Sequence, residues 1–121
     1  DSEVYAAHGD VFKSVFGALE LQLQGALKLL SCPSSSARGV ATALDTVAIT
    51  MTLLRTHKSL RLACKQEVWV DAMDQILGQA SNPFELKLAM VRLCALVVPG
   101  GTPVAQGLLE RHLEAIGSCV A

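Results

Sequence analysis

A chain of 121 residues is the length of one domain and long enough to bury a core of its own. Its formal charge of -1 argues against a dedicated nucleic-acid binder, whose affinity rests on many Lys and Arg contacts to phosphate, and gives no reason to expect an anionic membrane surface. With 51% hydrophobic but only 4% aromatic residues, the interior must be mostly Leu, Val and Ala, a mixture that favours packed helices over a sheet.

Residues 1 to 9 leave room for a short helical turn around Val4, Tyr5 and Ala6. Asp10, after Gly9, is a good N-cap for a long helix running to Leu30. Phe12, Phe16, Leu19, Leu23, Ala26, Leu27 and Leu30 step by threes and fours and predict one continuous buried stripe. Gly17 and Gly25 are expected to mark close helix crossings or a break. After the Ser-rich stretch from Ser31 to Ser36, with Ser36 as cap, a second helix carries Val40, Leu44, Val47, Met51 and Leu54 on one face. Thr42, Thr46 and Thr50 predict a polar stripe on another face. Arg55-Thr56-His57-Lys58-Ser59 reads as a polar turn, followed by a brief helix over Leu60–Cys64 and a longer one from Glu67 to Leu77. Asn82 is the expected cap of the next helix, with Pro83 at its first position, where the missing N–H costs nothing. Leu86, Met90, Leu93, Cys94 and Val97 give its buried side. Pro99-Gly100-Gly101-Thr102-Pro103 is the strongest breaker, and Val104, Leu108, Leu109, Leu113 and Ile116 predict a single last helix ending at Gly117. No strand pattern is found.

The chain also repeats itself at a spacing of about 47 residues, a mark of stacked helical units. Ala26, Leu29 and Leu30, the break at 31–36, then Leu44, Val47 and Ala48 are echoed by Met73, Ile76 and Leu77, the break at 78–83, then Val91, Cys94 and Ala95. The segment from Lys58 to Val97 holds a short, a medium and a long helix in that order, with Ile76-Leu77 closing the medium one. In this it resembles an armadillo repeat, and the related HEAT repeat nearly as well. The resemblance implies an all-α short solenoid that binds other proteins or peptides, with a helical bundle as the alternative. Residues 16–57 would be the preceding copy and 102–121 a partial third. Peptide-clamping armadillo proteins carry an Asn near the end of each long helix; Thr46-Val47-Ala48 and Leu93-Cys94-Ala95 carry none. The resemblance therefore extends to the scaffold and to protein binding in general.

In such a stack the long helices line the inner, partner-facing surface, which here offers Thr42, Asp45, Thr46, Lys87 and Arg92. Asp45 and Arg92 occupy equivalent places in the two copies and are expected side by side, as contacts or as a mutual salt bridge. Lys58 and Arg61, with Arg55, His57 and Lys65, form the densest basic run, suited to an acidic peptide or a phosphate. Trp69 is expected in the core, or as a hot spot if exposed.

No catalytic constellation is legible. His8, His57 and His112 are dispersed, with the surface as their expected place, and no nucleophile stands in a recognisable elbow. Glu110, His112 and Glu114 lie two apart on one predicted helix and project to different sides, a poor metal site. The expectation is a non-enzyme with no cofactor or metal.

Cys32, Cys64, Cys94 and Cys119 show no C-x-x-C spacing, and buried free thiols are the expected reading. No run approaches the roughly 20 apolar residues of a membrane span, the longest being Leu88 to Val98. The acidic start does not resemble a secretory signal. These features are read together as an intracellular, self-associating fragment of a larger scaffold, treated as one domain over 1–121. The alternative is a secreted four-helix signalling or carrier bundle with two disulfides.

Overall fold

The computed structural model describes residues 2–98 and 102–120, and side chains over 7–98 and 102–117. Pro99, Gly100, Gly101 and the Cys119 side chain lie outside the described residues. The chain is all-α there: α1 (Ser2–Leu30), α2 (Ser36–Thr56), α3 (Gln66–Gly78), α4 (Phe84–Val97), α5 (Pro103–Arg111) and α6 (Leu113–Val120). Short 3-10 turns over Pro33–Ser35 and Lys58–Ala63 precede α2 and α3.

The long first helix begins at Ser2 rather than at Asp10, and the punctuation read at Gly9-Asp10 survives as a kink. His8 takes a non-helical conformation (φ -129°, ψ 24°). Beyond it, Phe16, Leu19, Leu23 and Ala26 are buried on the predicted stripe. Gly17 and Gly25 mark neither a crossing nor a break, since a Cβ at either would meet nothing. The close crossing is at Gly39 on α2. A Cβ there would stand 2.8 Å from the Leu30 backbone N and 3.0 Å from the Ala26 carbonyl oxygen, so only glycine lets α1 and α2 approach this closely.

Two caps differ by one residue from expectation. Ser36 opens α2, and Ser35 in the N-cap position uses its hydroxyl to donate to the Leu29 carbonyl at 2.9 Å. Pro83 (ψ 147°) is the N-cap of α4, and Asn82 donates from Nδ2 to the Ile76 carbonyl at 3.0 Å, closing the α3–α4 turn. The threonine stripe faces inward. Thr46 and Thr50 are fully buried, and each Oγ1 donates at 2.8 Å to the carbonyl four residues back. With the hydroxyl satisfied locally, threonine presents its methyl to the core.

Helix α1 packs on α2, on α3 and on the 3-10 turn at Lys58–Ala63; α4 packs on α2 and α3. The turns at 30–37 and 79–83 share one groove, while Glu20 reaches the start of α3 at Lys65 and Trp69. Helices α1 and α3 therefore run the same way side by side, as do α2 and α4. One core fills the space between the two layers, built on Trp69, Phe16, Leu23, Leu54, Met73, Ile76, Met90 and Leu93.

Inside it sits a carboxylate. Glu20 is 5% exposed, and its Oε2 accepts the Lys65 backbone N–H at 2.7 Å and the Trp69 indole N–H at 3.0 Å. A carboxylate at the first turn of α3 also meets the positive end of that helix. Every buried side-chain N or O among the described residues has a hydrogen-bond partner, as close-packed interiors require.

The predicted last helix is two. His112 leaves helical geometry (φ -125°, ψ 30°) and separates α5 from α6, which packs on α4. The stretch Pro33–Thr56, which contains an 18-residue window of mean hydropathy 1.2, is long and apolar enough by length and composition to cross a membrane, which the sequence reading had not singled out. Here it is a core helix, with Ala43, Val47 and Leu54 buried against its neighbours.

Candidate functional site

Because α2 and α4 start from the same end and lie side by side, their outer faces form one groove of about 610 Å³. Leu44, Val47, Met51 and Ala89 supply apolar surface, and Asp45, Arg55, Glu85 and Arg92 supply the charge. Asp45 precedes Arg55 on α2 by ten residues and Glu85 precedes Arg92 on α4 by seven, roughly 15 Å and 10 Å of helix at ~1.5 Å per residue. On each helix the carboxylate thus lies nearer the helix start than the guanidinium does. Asp45 and Arg92 both line this groove. Among the described residues no ion pair joins them.

The other predicted contacts scatter. Lys87 lines a different groove, with its Nζ 3.5 Å from the Ala80 carbonyl oxygen. Thr42 is half-buried. Thr46 is 0% exposed and unavailable to a partner. Trp69 is also 0% exposed, so its hot-spot reading falls: the indole is tied to Glu20 inside the core. Lys58 and Arg61 are exposed on the 3-10 turn, three residues apart and so on one edge of it.

A second polar centre fastens the C-terminal pair to α3. Arg111 donates from Nε to Asp74 Oδ1 at 3.1 Å and from its terminal nitrogen to Oδ2 at 3.2 Å, a two-pronged contact. His112 Nε2 lies 2.6 Å from Asp74 Oδ1. A carboxylate only accepts, so the ring proton sits on Nε2. Burial pushes the Asp74 carboxyl up, but the hydrogen bonds from His112 and Arg111 and the charges behind them outweigh it and hold it below its ordinary 3.8. The surface reading of His112 is overturned: its side chain is 10% exposed. The groove beside it, about 590 Å³, is lined by Lys87, Arg111, His112 and Glu114 among others, and by no Ser, Thr or Cys among the described residues. Together the Arg111 and His112 contacts to Asp74 tie the start of α6 and the end of α5 to α3. No three His, Cys, Asp or Glu side chains among the described residues converge where a metal could sit.

Of the cysteines, Cys32 is exposed, while Cys64 and Cys94 are half-buried, and all three are free thiols. Burial and, after it, the Glu20 charge push the Cys64 thiol up to about 12. Burial also raises Cys94. Cys32 is lowered by hydrogen bonds from Ser34, whose Oγ lies 3.3 Å from Sγ, and from Ser35.

The sequence reading missed Glu20, Asp74, Arg111 and His112. A signal existed for Glu20, an acid four residues after Phe16 and three before Leu23, inside the apolar stripe. Asp74 and His112 had none, because their partnership spans 38 residues of chain. Comparison with protein families, with curated proteins and with solved structures gives no match for this chain.

Proposed function

We propose that the chain is a non-enzymatic protein-interaction module built from armadillo- or HEAT-like helical repeats, which takes an amphipathic segment of another protein into the α2–α4 groove. The observation that carries this reading is the groove itself, in which apolar surface from both helices is accompanied by two acids, Asp45 and Glu85, and two bases, Arg55 and Arg92. Such a surface fits an amphipathic helix laid along it with complementary charges. The repeat reading draws support from the like-directed pairs, α1 beside α3 and α2 beside α4, at the spacing of the sequence echo. An intracellular place and self-association belong to the same reading.

A photo-crosslinking amino acid at Ala48, exposed on the groove wall, tests it against one at Gln24 on α1, also exposed but outside the groove. The Ala48 position should give discrete protein adducts from cell extract that the Gln24 position does not. Those adducts should fall by at least tenfold in Asp45→Arg/Arg92→Glu. Adducts that survive the charge swap sink the assignment. Light scattering across a concentration series tests self-association.

A further inference from the structure

Farther along α4, toward its C-terminal end, lies a second concavity. Its volume is about 290 Å³, roughly twice the ~150 Å³ apolar cavity that holds one benzene. Met73, Val98 and Leu108, all essentially buried, form its floor. Ala95 and Leu109 are exposed at its rim, and Cys94 is on its wall. Among the described residues no charged side chain lines it, in contrast to the two charged grooves, which carry Asp45, Arg55, Glu85 and Arg92 in one and Lys87, Arg111 and Glu114 in the other.

We propose that this pocket is a binding site for a small neutral apolar molecule, of the size of a fused two-ring aromatic or a medium-length hydrocarbon chain. The volume sets the size. The lining sets the chemistry, because a wall with no charge offers nothing to repay the desolvation of an ionic group, whereas it accepts apolar surface from water without loss. An anion is disfavoured for the same reason. The outer wall comes from α5 and α6 through Ala105, Leu109 and Ile116, and the Asp74 contacts to Arg111 and His112 hang that wall on α3. The pocket therefore keeps its shape only while the C-terminal pair stays docked. This site does not depend on the α2–α4 groove or on what that groove binds.

The test is a fluorescence titration with N-phenyl-1-naphthylamine, a neutral two-ring probe with a pendant phenyl, beside a naphthalenesulfonate as its charged counterpart. The neutral probe should saturate at one per chain and bind at least tenfold more tightly than the anion. Ala95→Trp, which fills the mouth, should weaken it by at least tenfold, while Ala48→Trp in the other groove should not change it. Saturating probe should also slow alkylation of Cys94 at least fivefold in the wild-type protein, a readout that stands even if Ala95→Trp fails to fold. A signal that does not saturate, equal binding of the anion, or an unprotected Cys94 each overturns the proposal.

Discussion

The two ends of the molecule are held by different physics. Helices α1 to α4 are bound by burial: large side chains at zero exposure, a glycine that brings α1 onto α2, and a carboxylate buried between α1 and α3. The C-terminal pair contributes only Leu108 to the fully buried set among its described residues, and is fastened by charge at Asp74. Enclosed polar contacts are expensive to break, because the orphaned partners have no water to turn to. Half-exposed ones are cheap, because water substitutes and salt screens. The contrast predicts a molecule whose first four helices unfold together and whose last two open alone.

The largest effect should come from Glu20→Ala. It strips the acceptor from the part-buried Lys65 N–H and the Trp69 indole N–H at once and leaves the indole enclosed. A loss of about 3 kcal/mol is expected, measured by urea unfolding at neutral pH. Glu20→Gln keeps an oxygen in place and should recover about half of it. If Glu20→Ala costs less than about 1 kcal/mol, the carboxylate is not the post that joins α1 to α3.

A smaller and local effect is expected from Asp74→Asn. The Asp74 and Arg111 side chains are 34% and 51% exposed, so the contact is worth under about 1 kcal/mol. Amide exchange should quicken several-fold in α5 and α6 and stay unchanged in α1 to α4. The pH dependence has a definite sign. The folded carboxyl titrates below its ordinary 3.8, so its contribution is complete above that value. It is lost as pH falls through the lower folded value. Below pH 3.8 the C-terminal pair should therefore loosen through this group, and Asp74→Asn should abolish that acid step. Equal acceleration in all six helices would erase the distinction between the two regions.

The same contrast governs what the sequence made legible. Apolar spacing is a local signal, and it placed α2, α3 and α4 within a residue or two and picked out Leu54, Ile76, Met90 and Leu93 as core. It also put Asp45 and Arg92 on one surface. What escaped it depends on partners remote in the chain. Glu20 is buried because Trp69 and Lys65 receive it, and the last helix breaks where His112 meets Asp74. Gly39 matters because of where Leu30 lies, whereas Gly17 and Gly25, equally conspicuous as letters, face open space. The threonines misled for another reason: a hydroxyl that bonds its own helix has no need of water, so Thr46 and Thr50 look polar in the sequence and behave as core.

The finest test uses the thiols as reporters of the two regions, in a Cys119→Ser background. Only the thiolate is alkylated, so rates near pH 8 follow the fraction ionised and the access to sulfur. Cys32, exposed and lowered by Ser34 and Ser35, should react first. Cys94, raised by burial against the C-terminal pair, should follow. Cys64, pushed up to about 12 by burial and then by the Glu20 charge, should be last. Loosening the latch with Asp74→Asn should speed Cys94 alone, since it lines the pocket walled by α5 and α6. Glu20→Gln should speed Cys64 alone, by removing the charge beside it. Above pH 9 the raised Cys64 value also has a stability consequence. The folded state holds its proton longer than the unfolded chain does, so the stabilisation it lends is lost as pH climbs toward 12. Acceleration of both sulfurs by either substitution would mean that the two regions yield as one.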